Sequence, residues 1–220
     1  STKDEQEILT LDHYLQLKSE GFEFEGQSYL FWEYMRILNE VKPKYFLLEN
    51  VKMDKKWEKV ISDALGVQPI KINSNKFSAQ NRQRLYWTNI PVDLDMLAKI
   101  ESPLKIGDIL EDLTKELSIK YQLTQKHLDG FNRSYKWKYC EFNEKSKPLL
   151  ASYYKQPPHC PYVKSLYTES GFRRLTPTEC EILQTVPNDY TKNVSDSQRY
   201  KMLGNGWTVD VIAHIFKYIK

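Results

Sequence analysis

A short apolar run in the chain ends abruptly in two polar residues that could do chemistry. In the stretch PKYFLLENVKM, the run from Tyr45 to Leu48 is followed by Glu49 and Asn50. The run is too short and too uniformly apolar for a surface helix, so it predicts a strand buried on both faces, as in a parallel sheet. Ligands of open α/β sheets bind at the carboxyl ends of parallel strands. Glu49 and Asn50 are therefore predicted to face a cleft. As an alternative, Glu49 could cap the helix that follows.

Two arginines form a second group with chemical potential. Arg82 and Arg84 lie two residues apart in QNRQR, at the start of the predicted strand RLYWTNI. On an extended segment they point to the same side. Planar guanidinium groups suit a base carbonyl or a phosphate. The pair indicates a nucleotide-binding site, with two ordinary surface arginines as the alternative.

The positive charge of the chain is concentrated in one segment. The formal net charge of the 220 residues is +3, yet residues 131–164 hold seven lysines and arginines against two glutamates. Aromatic residues alternate with these cations, in stretches such as SYKWKYCEF. Positive charge neutralises phosphates and aromatic rings stack on bases. This pattern favours a nucleic-acid partner, although a solvated lysine-rich surface has the same composition.

Cysteine usage and hydropathy exclude several protein classes. Cys140, Cys160 and Cys180 are far apart and odd in number, which argues for a reducing cytosol and against a disulfide framework. No apolar stretch approaches the roughly 18 residues of a membrane span, so no membrane partner is expected. His159 and Cys160 are adjacent but lack further residues at metal-ligand spacing, so no metal site is predicted.

The remaining pattern predicts half of a doubly wound α/β domain. Thr10 caps a predicted helix that ends at Gly21. The stretch DKKWEKVISDALG predicts another helix, and VQPIKIN and RLYWTNI predict two further strands. The stretch SYLFWEYMRILNEV predicts an amphipathic helix, because apolar residues recur there at helical spacing: Leu30, Tyr34, Ile37, Leu38 and Val41.

The regular pattern is interrupted and then resumes. Prolines, aromatics and lysines dominate residues 92–170, which predict a small separate lobe. Regularity returns after RRLTPTECEILQ, where Thr176 is predicted to cap a helix. The end, GNGWTVDVIAHIFKYI, is a glycine-rich turn that leads into an apolar helix. The predicted organisation is an α/β segment (1–91), an inserted lobe (92–170) and a return to the α/β body (171–220).

Four of these stretches, ENV, QNRQR, RRLTPTECEILQTVP and LGNGWTV, occur in an order that resembles the C-terminal half to two-thirds of the DNA cytosine-5 methyltransferases. The tryptophan in GNGW and the short variable segment look closest to the phage-type and vertebrate de novo branches. The resemblance covers nearly the whole chain. It implies the C-terminal part of a Rossmann-like methyltransferase domain with an inserted target-recognition lobe. It also implies S-adenosylmethionine as methyl donor, double-stranded DNA as partner, and a bacterial or phage-type protein in the cytoplasm.

The family chemistry gives roles to the polar residues. These enzymes activate C5 of a flipped cytosine by adding a cysteine thiolate to C6, which needs a proton or a strong hydrogen bond at N3. By resemblance, Glu49 supplies it and Asn50 braces the loop. Arg84 is placed near the cytosine O2, and Arg82 near Glu49 or the backbone.

The resemblance also implies the donor and DNA contacts. Asn205 and Trp207 are expected to line the donor pocket together with Leu30, with Trp207 as a core anchor in the alternative. Gly204 and Gly206 would allow close backbone approach. The segment 92–170 is expected to read the DNA sequence, and the expected DNA contacts are Arg133, Lys136, Lys138, Arg173 and Arg174.

Two family motifs have no counterpart in this sequence. The glycine-rich Phe-x-Gly-x-Gly turn is absent, and none of the three cysteines lies in a Pro-Cys-Gln/Asn segment. The chain alone is therefore expected to be inactive, with an exposed apolar edge and helix face where the missing half would pack. It could be a fragment of a longer enzyme, one subunit of a split enzyme, or a non-catalytic DNA-binding or regulatory module. A metal-dependent nuclease is disfavoured, because Glu49 lacks a second acidic ligand and a nearby lysine.

Overall fold

The computed structural model describes residues 7–24, 29–134 and 137–220. They form a mixed α/β fold that divides into two compact units. Apart from the last two residues, unit 1 consists of residues 1–72 and 84–91, and unit 2 of residues 73–83 and 92–218. The predicted boundary at residue 171 differs from this division, because 171–218 pack in the same unit as 92–170. No helix in the described ranges has the length and apolar character needed to cross a membrane.

In its described residues, unit 1 contains a three-stranded sheet and three helices. Its elements in chain order are α1 (Leu11–Ser19), α2 (Leu30–Val41), β1 (Leu47–Asn50), α3 (Lys55–Leu65), β2 (Ile70–Asn73) and β3 (Gln83–Thr88). Thr10 caps α1 by accepting from the His13 amide, as predicted. Gly21 and Gly66 follow α1 and α3 with φ of +81° and +69°, which is the left-handed conformation that glycine adopts at no steric cost.

The sheet has the order β1-β3-β2, with β1 and β3 antiparallel. Leu85 and Trp87 of β3 are fully buried against Ile61 of α3, and the Trp87 indole Nε1 donates to Ser62 Oγ at 2.9 Å. The predicted parallel strand buried on both faces is wrong for β1. All four of its residues are only partly buried, and it lies at one edge of the sheet.

Helix α2 forms where it was predicted, and Tyr34 and Leu38 of the predicted apolar face pack against the core. The rest of that face is exposed. Trp32 and Met35 are its buried residues, since they pack with Tyr14 of α1. Leu30, Ile37 and Val41 are instead 50%, 49% and 65% exposed. Unit 1 thus carries an apolar stripe on α2, which we call the α2 stripe and define by these three residues.

Glu33 lies at the centre of a charged cluster in unit 1. Its carboxylate accepts hydrogen bonds from Lys18, Tyr14 and Arg36. These donors, led by Lys18, lower the pKa of Glu33 to about 2. Burial, reinforced by Glu33, raises the pKa of Tyr14 to about 12. A depressed carboxyl pKa contributes stability above the ordinary pKa, and the contribution is lost as the pH falls through the folded value.

We therefore expect the free energy of unfolding to decrease as the pH is lowered from 4.5, the ordinary pKa of glutamate, to about 2. In Glu33→Gln this decrease should be smaller. Urea unfolding across this pH range measures the effect. Glu40→Gln is the matched control, because Glu40 also pairs with Arg36 but is 65% exposed. An acid-induced loss as steep in Glu33→Gln as in the unchanged chain would contradict the assignment.

Unit 2 is built around one large hydrophobic core. Its elements in chain order are α4 (Leu94–Lys99), α5 (Lys115–Lys120), α6 (Gln125–Ser134), β4 (Tyr162–Lys164), β5 (Phe172–Arg174), α7 (Pro177–Leu183), α8 (Asp196–Asn205) and α9 (Val209–Phe216), with 3-10 turns at Ser74–Lys76, Ile106–Ile109 and Tyr153–Lys155. Tyr153, Tyr162 and Tyr200 are fully buried at its centre. Thr176 caps α7 as predicted, in a reciprocal capping box with Glu179.

Candidate active site

Glu49 and Arg84 form an ion pair on the sheet of unit 1. Arg84 Nε lies 2.8 Å from Glu49 Oε1, and the two side chains are 15% and 19% exposed. The pairing follows from the strand register. Glu49 lies opposite Tyr86, so Arg84, two residues away, is its diagonal neighbour on the same face. The antiparallel arrangement brings the end of β1 to the start of β3, and both charged groups remain within reach of a ligand.

The alternative role of Glu49 as a helix cap is wrong. Asp54 is the N-cap residue of α3, and its carboxylate accepts from the Lys56 amide at 2.8 Å. The side chain of Asn50 accepts from the backbone amide of Val51 at 2.8 Å, and its bracing of the loop stays a prediction. Glu49 is thus available for a role other than helix capping.

Arg82 belongs to unit 2 and contacts the backbone. Its side chain is 5% exposed. Its guanidinium donates to the carbonyls of Leu149, Gly204 and Gly206 at 2.7, 3.1 and 3.0 Å. Arg82 was predicted to lie near Glu49 or near the backbone, and these contacts match the second alternative. Arg82 holds the GNGW turn, whereas Arg84 pairs with Glu49.

The GNGW turn connects α8 to α9 and presents two of the predicted donor contacts. Asn205 is exposed and Trp207 is 48% exposed, so the interpretation of Trp207 as a core anchor is wrong. Thr208 and Val211 are the buried residues at the start of α9. Leu30, the third predicted donor contact, lies in unit 1 at the first position of α2, where it is half-exposed.

Gly204 is required by close packing against the backbone of Leu150 and Ala151. Its predicted approach to the donor stays a prediction. A Cβ atom at this position would lie 2.3 Å from the Leu150 carbonyl carbon and 2.3 Å from the Ala151 nitrogen. Such distances are far below van der Waals contact, and both atoms belong to the backbone. At Gly206 the nearest atom would be the Met202 oxygen at 3.1 Å, which is a weaker constraint.

Sequence reasoning gave no role to two buried glutamines that hold the turn. Gln80 and Gln184 are 0% and 1% exposed and are hydrogen-bonded to each other at 3.1 Å. Both lie inside the motifs QNRQR and RRLTPTECEILQTVP. Their position inside two family motifs was the sequence signal that these glutamines have a role. The sequence did not show that they would be buried.

The predicted contact of Arg173 with DNA phosphate is wrong. Arg173 is 5% exposed and forms a bidentate ion pair with the fully buried Glu179, with N–O distances of 2.7 and 2.8 Å. Separating Arg173 from Glu179 would leave a buried charge without its partner. The Arg173 guanidinium therefore does not turn toward DNA. Arg174 is partly buried, and its guanidinium lies over the rings of Tyr121 and Tyr200 at 5.5 and 5.2 Å. Its phosphate contact stays a prediction.

The basic segment divides into exposed and structural cations. Arg133 is exposed at the end of α6, and Lys138 is 68% exposed with Glu144 3.6 Å away. Lys136 lies outside the described residues. Lys145 instead donates to three backbone carbonyls within 2.9 Å, and desolvation by burial lowers its pKa.

The three cysteines are buried, unpaired thiols. Desolvation by burial raises the pKa of Cys140, raises that of Cys160 to about 12, and raises that of Cys180 well above its ordinary value. Because the thiolate is the nucleophilic form, none of the three is activated for attack. Within the described ranges, no group of three or more His, Cys, Asp or Glu residues could hold a metal ion.

The mixed α/β fold is that of a Rossmann-like methyltransferase. The chain resembles the crystal structure of Dnmt2 methyltransferase of S. pombe, with a TM-score of 0.66 and 18% identity over 84% of this chain and 70% of that one. The structure of the Entamoeba histolytica methyltransferase EhMeth gives a TM-score of 0.62 and 17% identity, over 86% and 69%. At these identities the likeness shows the fold.

The sequence comparisons define the family. The model of the C-5 cytosine-specific DNA methylases matches residues 16–220, so the chain belongs to this family. It is 32% identical to the type II methyltransferase M.NlaX of Neisseria lactamica, over 87% of this chain and 67% of the relative. It is 30% identical to M1.ScrFI of Lactococcus lactis subsp. cremoris, over 89% and 56%. The chain spans a little over half the length of the latter.

Proposed function

We propose that the chain is the part of a DNA cytosine-5 methyltransferase that holds the target base and one side of the methyl-donor pocket. The reaction transfers a methyl group from S-adenosylmethionine to C5 of a flipped cytosine, in the cytoplasm of a bacterium or phage-infected cell. The observation that carries the proposal is the partly exposed Glu49–Arg84 pair at 2.8 Å. Family membership supplies the class of reaction.

The pair matches one edge of the cytosine ring. N3 and O2 are neighbouring atoms on that edge, and they require a donor apiece when a nucleophile adds to C6. The carboxyl group of Glu49, in its protonated form, donates to N3, and the guanidinium of Arg84 donates to O2. The ion pair aligns the two groups before the base arrives, which avoids reorganisation during the reaction. Asn205 and Trp207 of unit 2 contact the donor in this proposal, and the contact of Leu30, in unit 1, stays a prediction.

In this proposal the nucleophile and the rest of the donor pocket come from a segment that carries the glycine-rich turn and the Pro-Cys motif, on the same or another polypeptide. Two features of unit 1 support a surface for it. The α2 stripe exposes three large apolar side chains, and β1 is the edge strand of its sheet. An edge strand and an exposed apolar helix face are each a surface on which another chain segment can pack.

Reconstitution tests this proposal. The 220-residue chain is mixed with the preceding part of M1.ScrFI or M.NlaX, and transfer of a labelled methyl group to DNA is measured. We expect no transfer from either part alone and transfer from the mixture. Transfer by this chain alone would overturn the argument, since its three cysteines are buried.

A second candidate is a non-catalytic DNA-binding or regulatory module. The burial of all three thiols favours it, because none of them is exposed for attack on a base. The same mixing experiment separates the two. DNA binding without any methyl transfer in the mixture supports the module, and transfer supports the enzyme.

Segment 92–170 is proposed to read the DNA sequence, and its residues Arg133, Lys136 and Lys138 are proposed to contact the DNA. Phosphate contacts give affinity and base-edge contacts give specificity. Exchanging this segment for that of a relative should therefore change which site the reconstituted enzyme methylates. An unaltered target after the exchange would contradict the proposal.

Single cation deletions give a sharper measurement. Arg133→Ala and Lys138→Ala should weaken DNA binding and each reduce the slope of log affinity against log salt by about 1, as loss of one phosphate contact requires. Lys192→Ala is the control, because Lys192 is exposed but lies outside the segment. If the unchanged chain and the three variants had equal salt slopes, Arg133 and Lys138 would not contact phosphate.

A further inference from the structure

The end of helix α8 leaves backbone carbonyls that the helix cannot satisfy. Such carbonyls need outside donors when they are buried. The Met202 carbonyl accepts from the Gly206 amide at 2.8 Å. The carbonyls of Leu203, Gly204 and Gly206 accept from side chains that are far away in sequence, namely Gln184 and Arg82.

Gln184 makes the contacts that define the turn. Its Nε2 donates to the Leu203 carbonyl at 2.6 Å and lies 3.4 Å from the Gly206 carbonyl. Its backbone carbonyl accepts from the Val209 amide at 2.9 Å, at the start of α9. One residue therefore bonds to the turn on both sides of Trp207.

The amide of Gln184 is itself held in one orientation. Its Oε1 accepts from Gln80 Nε2 at 3.1 Å and from Thr208 Oγ1 at 3.0 Å. Gln80 is fixed in turn, because its Oε1 accepts from the Leu149 amide at 2.7 Å. A buried polar network in which each member is satisfied specifies a single arrangement. The side chains of Asn205 and Trp207 project from the segment that this network fixes.

We propose that Gln184 is a positioning residue for the methyl donor, which it serves by holding the GNGW turn. The inference rests on the proposed function, in which Asn205 and Trp207 contact S-adenosylmethionine. Gln184 is buried and acts through the turn, so its loss affects donor binding. The base is served by Glu49 and Arg84, and the proposed DNA contacts Arg133 and Lys138 bond to Asp129 and Glu144 outside this network. DNA binding is therefore unaffected.

The test uses the reconstituted enzyme and two variants of similar size. Gln184→Met keeps the volume and removes all side-chain hydrogen bonds. Gln184→Glu keeps the acceptor toward Gln80 and Thr208, but sets a second oxygen against the Leu203 carbonyl. Glu181→Gln is the control, because Glu181 lies on the same helix, is fully buried, and bonds instead to Asp189, Thr191 and Arg199.

We expect Gln184→Met and Gln184→Glu to raise the KM for S-adenosylmethionine by about tenfold or more, the scale of a lost buried hydrogen bond. The KM for DNA and kcat should change by less than about threefold, within one such bond. Hydrogen exchange at the amides of Gly206 and Val209 should accelerate in both variants. Glu181→Gln should leave the donor KM and these amides unchanged.

Two results overturn the inference in different ways. If exchange at Gly206 and Val209 is unchanged, or if Glu181→Gln raises the donor KM equally, Gln184 has no specific positioning role. If Trp207→Ala leaves the donor KM unchanged, the turn does not contact the donor. The proposed donor site then fails together with the inference. A raised KM in Trp207→Ala but not in Gln184→Met removes the positioning role alone.

Discussion

Glu49→Gln should reduce methyl transfer by the reconstituted enzyme by roughly 10²–10⁴-fold, the range of general acid catalysis. The change keeps the shape of the side chain, but it removes the acidic proton and the charge that pairs with Arg84 at 2.8 Å. DNA affinity should fall far less, since most of that affinity comes from phosphate contacts. Single-turnover methyl transfer and DNA binding by the same preparation measure both effects.

Two further variants test whether the effect belongs to the ion pair. Arg84→Lys keeps the charge but loses the planar fork, so it should also lower the rate. Glu40→Gln, at an exposed glutamate of the same unit, should leave the rate unchanged. An unchanged rate in Glu49→Gln would show that the assigned role is wrong, whatever the behaviour of Arg84→Lys.

Gly204→Ala should destabilise unit 2 by about 3 kcal/mol or more, at or above the upper end of the usual cost of overpacking. The added methyl group would lie 2.3 Å from backbone atoms of Leu150 and Ala151. A side chain could rotate away from such a contact, whereas two backbone segments must separate. The shift would also disturb the carbonyls that Arg82 and Gln184 hold. Urea unfolding gives the free energy, with the midpoint falling at constant slope.

Gly130→Ala is the matched control for this change. Gly130 lies in α6 and a Cβ there meets no atom within 4 Å. Alanine should therefore stabilise the helix by about 0.5–1 kcal/mol, because it loses less backbone entropy on folding than glycine. If the two variants unfolded at the same urea concentration, the packing argument for Gly204 would be refuted.

The sequence by itself determined the local structure and the family. Thr10 and Thr176 cap helices where predicted, because a cap depends on a side chain and the amides two or three residues beyond it. Strands also form around Glu49 and Arg84 where predicted, although β1 is an antiparallel edge strand and not a parallel strand buried on both faces. These features depend on short-range chemistry, and the four motifs in order indicated the C-5 cytosine-specific DNA methylases that the family comparison then showed.

Only the tertiary structure decided which residues face solvent, ligand or core. Helical spacing predicted an amphipathic α2, but it could not decide that Trp32 and Met35 would be buried. Arg82, Arg84 and Arg173 have the same chemistry in the sequence, yet the first bonds to carbonyls, the second to Glu49 and the third to Glu179. The physical reason is that a guanidinium takes its role from the acceptors around it. Chain segments more than 60 residues away supply those acceptors for Arg82.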